Sequence, residues 1–444
     1  MEKIKIAVLG MGYVGLAGGM GYAKHGFKTI CTSPTQSKVD NLKKGIPPFY
    51  EPELEELVKE QVERGMLSAT TDNVEAIKQS DVTFICVGTP SLTDGSADLS
   101  AVKDTAKDIG MAIKDKDVYH VVVAKSTIIP GTTEDIVLPI VEKYSGKKVG
   151  KEFGLCMNPE FLRQGQAVHD SLKPDRVVIG QYDKKSGDII EHIYKGYDCP
   201  IVRCEIKAAE LIKYAANSLL ATKITFANEF SRICEKFNID VYEVMKGVGL
   251  DFRINPMFLN AGVGFGGSCF PKDVNAIVAL SKEIGVKTPL LDAVLETNDI
   301  QPMHFIDIIK DTVGSLEGKT VAFLGLSFKP DTDDTRSTRA LPIIQQLYKE
   351  GAHVKAYDPK AYYKFKPLTD LPIDYMDTLE EALKDSDFAV VQSDWKEIKD
   401  LKAEDFKKLL KNPIVIDGRR SYNPNELIKN GVTYRGIGWK NLSD

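Results

Sequence analysis

Three glycines at the end of an early strand constrain this chain more than any other feature. Residues 3–9, Lys-Ile-Lys-Ile-Ala-Val-Leu, alternate as a β-strand does and run into Gly10-Met-Gly12-Tyr13-Val14-Gly15. A helix-like stretch follows to His25-Gly26, and a second strand-like run covers Phe27 to Cys31. In a strand–turn–helix of this kind, the first two glycines permit a tight turn and close approach of backbone to a pyrophosphate. The third lets helix and strand pack, and the helix N-terminus offers N–H donors to the phosphates. The spacing alone is weak, and a ligand-free glycine turn is its bland alternative. Its position at the first strand of an alternating chain makes it a dinucleotide loop.

Further strand-like runs at Val82–Val87 and Val118–Ala124 alternate with helical segments, which predicts a parallel sheet with helices on both faces. From about Glu205 to Phe237 the pattern turns helical without a Pro or Gly, with Ala208, Leu211, Ile212, Ala215 and Leu219 at helical spacing. That stretch reads as a connecting helix, a spine for packing and dimerisation. Near Gly318-Lys319 a second unit begins with Thr320–Leu324 and Gly325. Its later strands are Val354–Tyr357 ending at Asp358-Pro359, Phe388–Gln392, and Ile414–Ile416 ending at Asp417-Gly418. The expected fold is α/β: two Rossmann-like, doubly wound parallel-sheet domains joined by a long central helix. The expected division is 1–202 for dinucleotide binding, 203–300 for a central helical dimerisation region, and 315–444 for the second Rossmann-like domain.

A length of 444 residues fits two or three cores rather than one. A formal charge of −5, with no basic run, gives no reason to expect a nucleic-acid or anionic-membrane partner. The N-terminal apolar stretch is too short for a signal peptide, and no window approaches a membrane span, so a cytoplasmic protein is expected. The seven cysteines form no CxxC pair and the six histidines are scattered, which argues against a disulfide framework and a metal site. Most of the cysteines sit in apolar runs and read as small buried hydrophobes. Cys269 does not.

Cys269 stands in Gly262-Val-Gly-Phe265-Gly266-Gly267-Ser-Cys269-Phe-Pro-Lys272-Asp273. The glycines build a loop that backbone or ligand can approach closely, and Pro271 favours a helix starting there. A thiol at a helix N-terminus with Lys272 nearby is poised to act as a nucleophile. Asn158-Pro-Glu160-Phe161-Leu162-Arg163 places a carboxylate in a loop after the apparent strand Phe153–Met157. Lys213 and Asn217 are four apart on the long helix and so share a face, with a Glu210–Lys213 surface pair as the bland reading. Phe328-Lys329, Asp333-Asp334-Thr335-Arg336 and Asp417-Gly418-Arg419 add cations at strand ends, where ligands bind in open α/β sheets.

Together these motifs resemble the UDP-glucose 6-dehydrogenases, within the wider nucleotide-sugar dehydrogenase superfamily, over essentially the whole chain. The resemblance is carried by Gly-Met-Gly-Tyr-Val-Gly-Leu16, Gly88-Thr89-Pro90, Lys125-Ser126-Thr127, Asn158 to Leu162, Lys213-Tyr-Ala-Ala-Asn217, Asp251-Phe-Arg253-Ile, the Cys269 loop and Gly325-Leu-Ser-Phe-Lys329. It implies two successive hydride transfers, with Cys269 adding to the aldehyde as a thiohemiacetal and the second oxidation leaving a thioester for water to open. By position, Lys213 and Asn217 would stabilise the oxyanion, Asp273 and Thr127 would order water, and Glu160 would assist hydrolysis. Phe161, Leu162, Phe265, Gly266, Gly267, Phe328, Lys329 and Arg419 would hold the nucleotide sugar, with Arg253 reaching it from a second subunit of a dimer. Gly88, Thr89, Pro90, Ser126, Thr127, Lys272 and Arg336 would line the cofactor site. An oxyanion role for Lys213 leads one to expect that Lys213→Ala slows turnover while its thermal midpoint moves little.

Two departures stand out. Asn255-Pro256 replaces the family's usual glycine. The acid that holds the NAD ribose about 20 residues after the glycine loop is missing: the strand ends Cys31-Thr32-Ser33-Pro34-Thr35, and Lys38 follows. NAD is the expected cofactor, with Ser33 and Lys38 near its ribose and weak discrimination against NADP. GDP-mannose dehydrogenases share the Cys loop and the same chemistry and are the nearest rival. A catalytically idle dinucleotide-binding regulator need not keep Cys269, Lys213, Asn217 and Asp273 together.

Overall fold

The computed structural model describes residues 4–439, and the chain divides into two compact units between Ala216 and Asn217. The first unit is built on β1 (Ile6–Leu9), β2 (Thr29–Thr32), β3 (Leu67–Thr70), β4 (Val82–Ile85), β5 (His120–Ala124), β6 (Phe153–Met157), β7 (Val177–Gln181) and β8 (Ile201–Cys204). They form one sheet in the order β3-β2-β1-β4-β5-β6-β7-β8. Six strands run parallel, while β7 pairs antiparallel with β6 and parallel with β8, so the last two strands are reversed. The central strands are almost wholly buried because both faces are covered, while the edge strand β8 is partly exposed. Val8, Leu16, Met20 and Val123 pack on one side, and Leu9, Ile85, Ile109 and Leu155 on the other. The order reverses at β1 and β4, which puts the glycine loop after β1 at a switch point.

The second unit carries β9 (Thr320–Leu324), β10 (His353–Tyr357), β11 (Asp374–Tyr375), β12 (Phe388–Val391), β13 (Ile414–Asp417) and β14 (Thr433–Gly436) in the order β11-β10-β9-β12-β13-β14. Every pairing is parallel. Gly325 follows β9 at φ +97°, where a Cβ would lie 2.4 Å from the Ser393 side chain. Asp358, at the end of β10, stands where a dinucleotide fold keeps its ribose acid. Here its Oδ2 accepts from the Leu326 and Ser327 N–H groups, the Ser327 hydroxyl and the Trp395 indole. The carboxylate therefore closes the loop rather than facing a ligand.

Four helices matter to the site: α1 (Tyr13–Lys24), α2 (Ile206–Lys236), α3 (Phe270–Glu283) and α4 (Pro289–Val313). The expected apolar spine of α2 faces outward: Leu211 is 46% and Leu219 62% exposed, and Phe226 and Ile233 continue the row. The buried face carries Glu210, Lys213, Tyr214, Asn217 and Ser218 among its alanines. A helix that buries this many polar groups needs partners for each of them.

Candidate active site

In the first unit the glycine loop has the shape of a phosphate cradle. Gly10 adopts φ +116°, and a Cβ there would lie 2.5 Å from the Cys86 carbonyl oxygen. A Cβ on Gly15 would meet the Gly10 carbonyl oxygen at 2.0 Å, so helix and loop pack closer than any side chain allows. Gly12 is the N-cap of α1 without side-chain capping, and nothing lies within 4 Å of its would-be Cβ. Open space in front of uncapped helix N–H groups suits a pyrophosphate. Tyr13 stacks on Phe49 at 4.0 Å, and Val14 is half-buried beside it.

The next loops are tied to each other. Thr89 Oγ1 donates to the Thr127 carbonyl at 2.8 Å, and Ser126 Oγ to the Val87 carbonyl at 2.6 Å, on either side of Gly88 and Pro90. At the end of β2, Ser33 Oγ accepts from the Thr35 N–H, and Thr32 Oγ1 donates to Asn73, which in turn donates to Asp108. Lys38 is exposed on the helix Gln36–Lys43. The missing acid is thus replaced by a buried serine.

Glu160 and Lys213 form a buried ion pair, Nζ to Oε1 2.9 Å, with side chains only 5% and 4% exposed. Glu160 Oε2 also accepts from the Leu162 N–H at 2.6 Å. Burial pushes the Glu160 carboxyl up, but the charge and hydrogen bond of Lys213, the Leu162 N–H and the charge of Lys125 hold it below the usual carboxylate range. Lys213 Nζ also sits 5.5 Å from the centre of the Phe161 ring, on which the Arg176 guanidinium stacks at 3.7 Å.

The Glu210–Lys213 surface pair does not form. Glu210 is fully buried and accepts from the Gly131 and Thr133 N–H groups and the Thr133 hydroxyl. It anchors a π-helical turn, Thr132–Val137, just beyond Thr127. Sequence spacing could not reveal this bond, because its partner lies 77 residues away.

In the second unit, Cys269 is the N-cap of α3, with Pro271 in the first turn. Its Sγ is 3.6 Å from the Ser268 hydroxyl, and its carbonyl accepts from the Asp273 N–H. Asp273 is bridged: Asn217 Nδ2 donates to Oδ2 at 2.6 Å, and Lys272 Nζ lies 2.5 Å from Oδ1. The glycine loop is pressed against its neighbours. A Cβ on Gly266 would lie 2.4 Å from the Ser337 carbonyl oxygen, and one on Gly267, at φ +82°, 2.7 Å from the Phe328 ring. The backbone of Phe265 exchanges two hydrogen bonds with Asn298 and accepts a third from Arg339, while its ring packs with Ala221, Val274 and Val294.

The other predicted residues take distinct settings. Arg419 donates to the carbonyls of Gln392 and Phe328 at 2.8 and 2.6 Å, which fixes the ends of β12 and the β9 loop. Lys329 extends over the Phe328 ring, and Arg336 forks onto Asp334. Arg253 is exposed and paired with Asp251. Asn255 adopts φ +65°, the left-handed conformation that glycine takes freely and asparagine tolerates best among the rest.

Comparison with known proteins agrees with this arrangement along the chain. Residues 4–198, 207–300 and 322–424 match, in turn, the NAD binding, central and UDP binding domains of the UDP-glucose/GDP-mannose dehydrogenase family. The chain belongs to this family. It is 44% identical to UDP-glucose 6-dehydrogenase TuaD of Bacillus subtilis, over 98% of this chain and 93% of that protein. It is 42% identical to UDP-glucose 6-dehydrogenase AglM of Haloferax volcanii, over 98% of this chain and 100% of that protein. A UDP-glucose dehydrogenase structure from Pyrobaculum islandicum superposes with a TM-score of 0.91 at 36% identity, covering 99% of this chain and 98% of that one. As in the rest of the UDP-glucose/GDP-mannose dehydrogenase family, the cofactor is NAD. Among the described residues no helix is long and apolar enough to cross a membrane.

Proposed function

We propose that this chain oxidises UDP-glucose to UDP-glucuronate in two successive two-electron steps, in the cytoplasm and as a homodimer. The observation that carries the reading is the setting of Cys269 at a helix N-terminus, one turn before an Asp273 bridged by Asn217 and Lys272. Full-length identity to UDP-glucose 6-dehydrogenases supports the substrate. The outward apolar row Leu219, Phe226 and Ile233 on α2 supports the dimer, since such rows mark association surfaces.

Two molecules of NAD, bound in turn at the Gly10–Gly15 loop, would each accept one hydride, the first taken from C6 as the alcohol loses its hydroxyl proton and becomes an aldehyde. The Cys269 thiolate adds to the C6 aldehyde, forming the C–S bond of a thiohemiacetal. Loss of the C6 hydride then leaves a thioester. Water adds to its carbonyl carbon, the C–S bond breaks, and the thiolate departs from the new acid. Lys213 and Asn217 stabilise the oxyanions, Asp273 and Thr127 order water for proton transfer, and Glu160 assists thioester opening. Phe328, Lys329 and Arg419 hold the UDP-sugar with Phe265, Gly266 and Gly267, and Arg253 serves the partner's substrate.

Turnover by the purified enzyme with NAD against UDP-glucose, GDP-mannose and UDP-N-acetylmannosamine tests the reading. UDP-glucose is expected to give the highest kcat/KM. A preference of tenfold or more for either other sugar overturns it.

A further inference from the structure

Lys125, the residue after β5, is 93% buried, yet among the described residues no carboxylate lies within ion-pair distance of it. Its ammonium donates to Asn158 Oδ1 at 2.8 Å, to the Asn158 carbonyl at 3.4 Å and to the Tyr194 hydroxyl at 3.3 Å. All three partners are neutral. A buried ammonium with only neutral partners is costly, and an apolar side chain of the same length would fill the space at less cost. Its presence therefore calls for a negative charge that it serves.

That charge is Glu160. Lys125 and Glu160 line one cavity of about 50 Å³, room for water to bridge them. Asn158, which Lys125 grips, is immobilised on every side. Its N–H donates to the Ala124 carbonyl, its Nδ2 to the Val178 carbonyl, and its Oδ1 also accepts from Tyr194. Pro159 then fixes φ between Asn158 and Glu160. Cys86 also faces this carboxylate, but burial pushes its thiol up to about 12 and leaves it neutral. Lys213 and Lys125 both hold the Glu160 carboxyl down; Lys213 pairs with it directly, whereas Lys125 is anchored on Asn158 and Tyr194 instead.

We infer that Lys125 is a positioning residue for thioester opening: it clamps the Asn158-Pro159-Glu160 turn and leaves a fixed cation behind Glu160 when Lys213 turns to the substrate oxyanion. This rests on the role proposed above for Glu160. It concerns only the hydrolytic half of the reaction, so substrate binding and the first oxidation proceed without it.

The test uses full-length Lys125→Met and Lys125→Gln enzymes, the second retaining a donor for Asn158 without the charge. Steady-state kinetics is combined with intact-mass spectrometry of enzyme quenched during turnover. Both variants are expected to keep KM for UDP-glucose within about twofold and to lose about 10- to 100-fold in kcat, the scale of a misplaced catalytic group. A uronyl adduct on Cys269 should accumulate beyond its level in the unmodified enzyme. A folded variant with unchanged kcat and no added adduct overturns the proposal, as does one in which KM and the first oxidation fail together with hydrolysis. If Lys125→Met does not fold, Lys125→Gln decides. Failure of the unmodified enzyme to oxidise UDP-glucose would instead overturn the functional reading.

Discussion

Lys213 Nζ lies 2.9 Å from Glu160 Oε1, and the two side chains are almost sealed from solvent. This pair changes what Lys213→Ala should do. Turnover is expected to fall about 100-fold, as on loss of a preorganised oxyanion donor. Stability should fall too, by roughly 3–5 kcal/mol at neutral pH, because the variant leaves a buried carboxylate without its ion-pair partner. The expectation of an unmoved thermal midpoint therefore does not hold for a buried pair.

The pH dependence has a definite sign. In the unmodified protein Glu160 is held below its ordinary range, so its contribution is present at neutral pH and lost on acidification through the carboxylate range. In Lys213→Ala burial is less opposed and the carboxyl rises, so protonation relieves the penalty. Denaturant melts at pH 8 and pH 5.5 should show the gap between variant and parent narrowing at the lower pH. A constant gap would mean that Glu160 is not the group left unpaired.

Cys269→Ser should abolish complete oxidation while leaving the fold intact, since the side chain is only partly buried at the start of α3 and a serine is nearly isosteric with it. A serine hydroxyl at neutral pH is a far weaker nucleophile. Full steady-state turnover by the serine variant would contradict covalent catalysis.

Asn217→Asp puts a second carboxylate where an amide now donates to Asp273 at 2.6 Å. Two carboxylates at that distance repel when both are ionised, which disturbs the α3 start at high pH, and one of them takes a proton as the pH falls. Activity at pH 8 should drop about 100-fold and recover in part toward pH 6. An unchanged pH profile in the folded variant would remove Asn217 and Asp273 from the chemistry.

Ser33 gives a prediction about cofactor choice. If Ser33, buried just after β2, lies against the NAD ribose, the enzyme should discriminate only weakly against NADP. Ser33→Asp should raise the ratio of kcat/KM for NAD over NADP, each tenfold corresponding to about 1.4 kcal/mol. A parent enzyme that rejects NADP strongly, with no response to the added carboxylate, would place the ribose contact elsewhere.

Local pattern made much of the fold legible. The Gly10 loop, the strands Phe153–Met157 and Thr320–Leu324, and the uninterrupted helix Ile206–Lys236 all announce themselves in short windows. Boundaries were less legible: the second strand starts at Thr29 rather than Phe27, because Phe27 closes the turn after α1 through a bond to the Tyr22 carbonyl. Reversal of β7 and β8 left no trace, since a buried strand looks alike in either direction. On α2 the apolar period picked out the exposed face, while Glu210, Lys213 and Asn217 occupied the buried one. The bonds of Glu210 and Lys125 could not be read from the sequence because their partners, Thr133 and Asn158, are distant along the chain.

The central claim is that one active site carries a sugar nucleotide from alcohol to acid through Cys269. The most direct measurement is the amount of NADH formed per UDP-glucose consumed when a limiting amount of UDP-glucose is carried to completion. A ratio of two, with no free aldehyde trapped by an added carbonyl reagent, is the predicted result. A ratio of one, with the aldehyde released as product, would contradict the account.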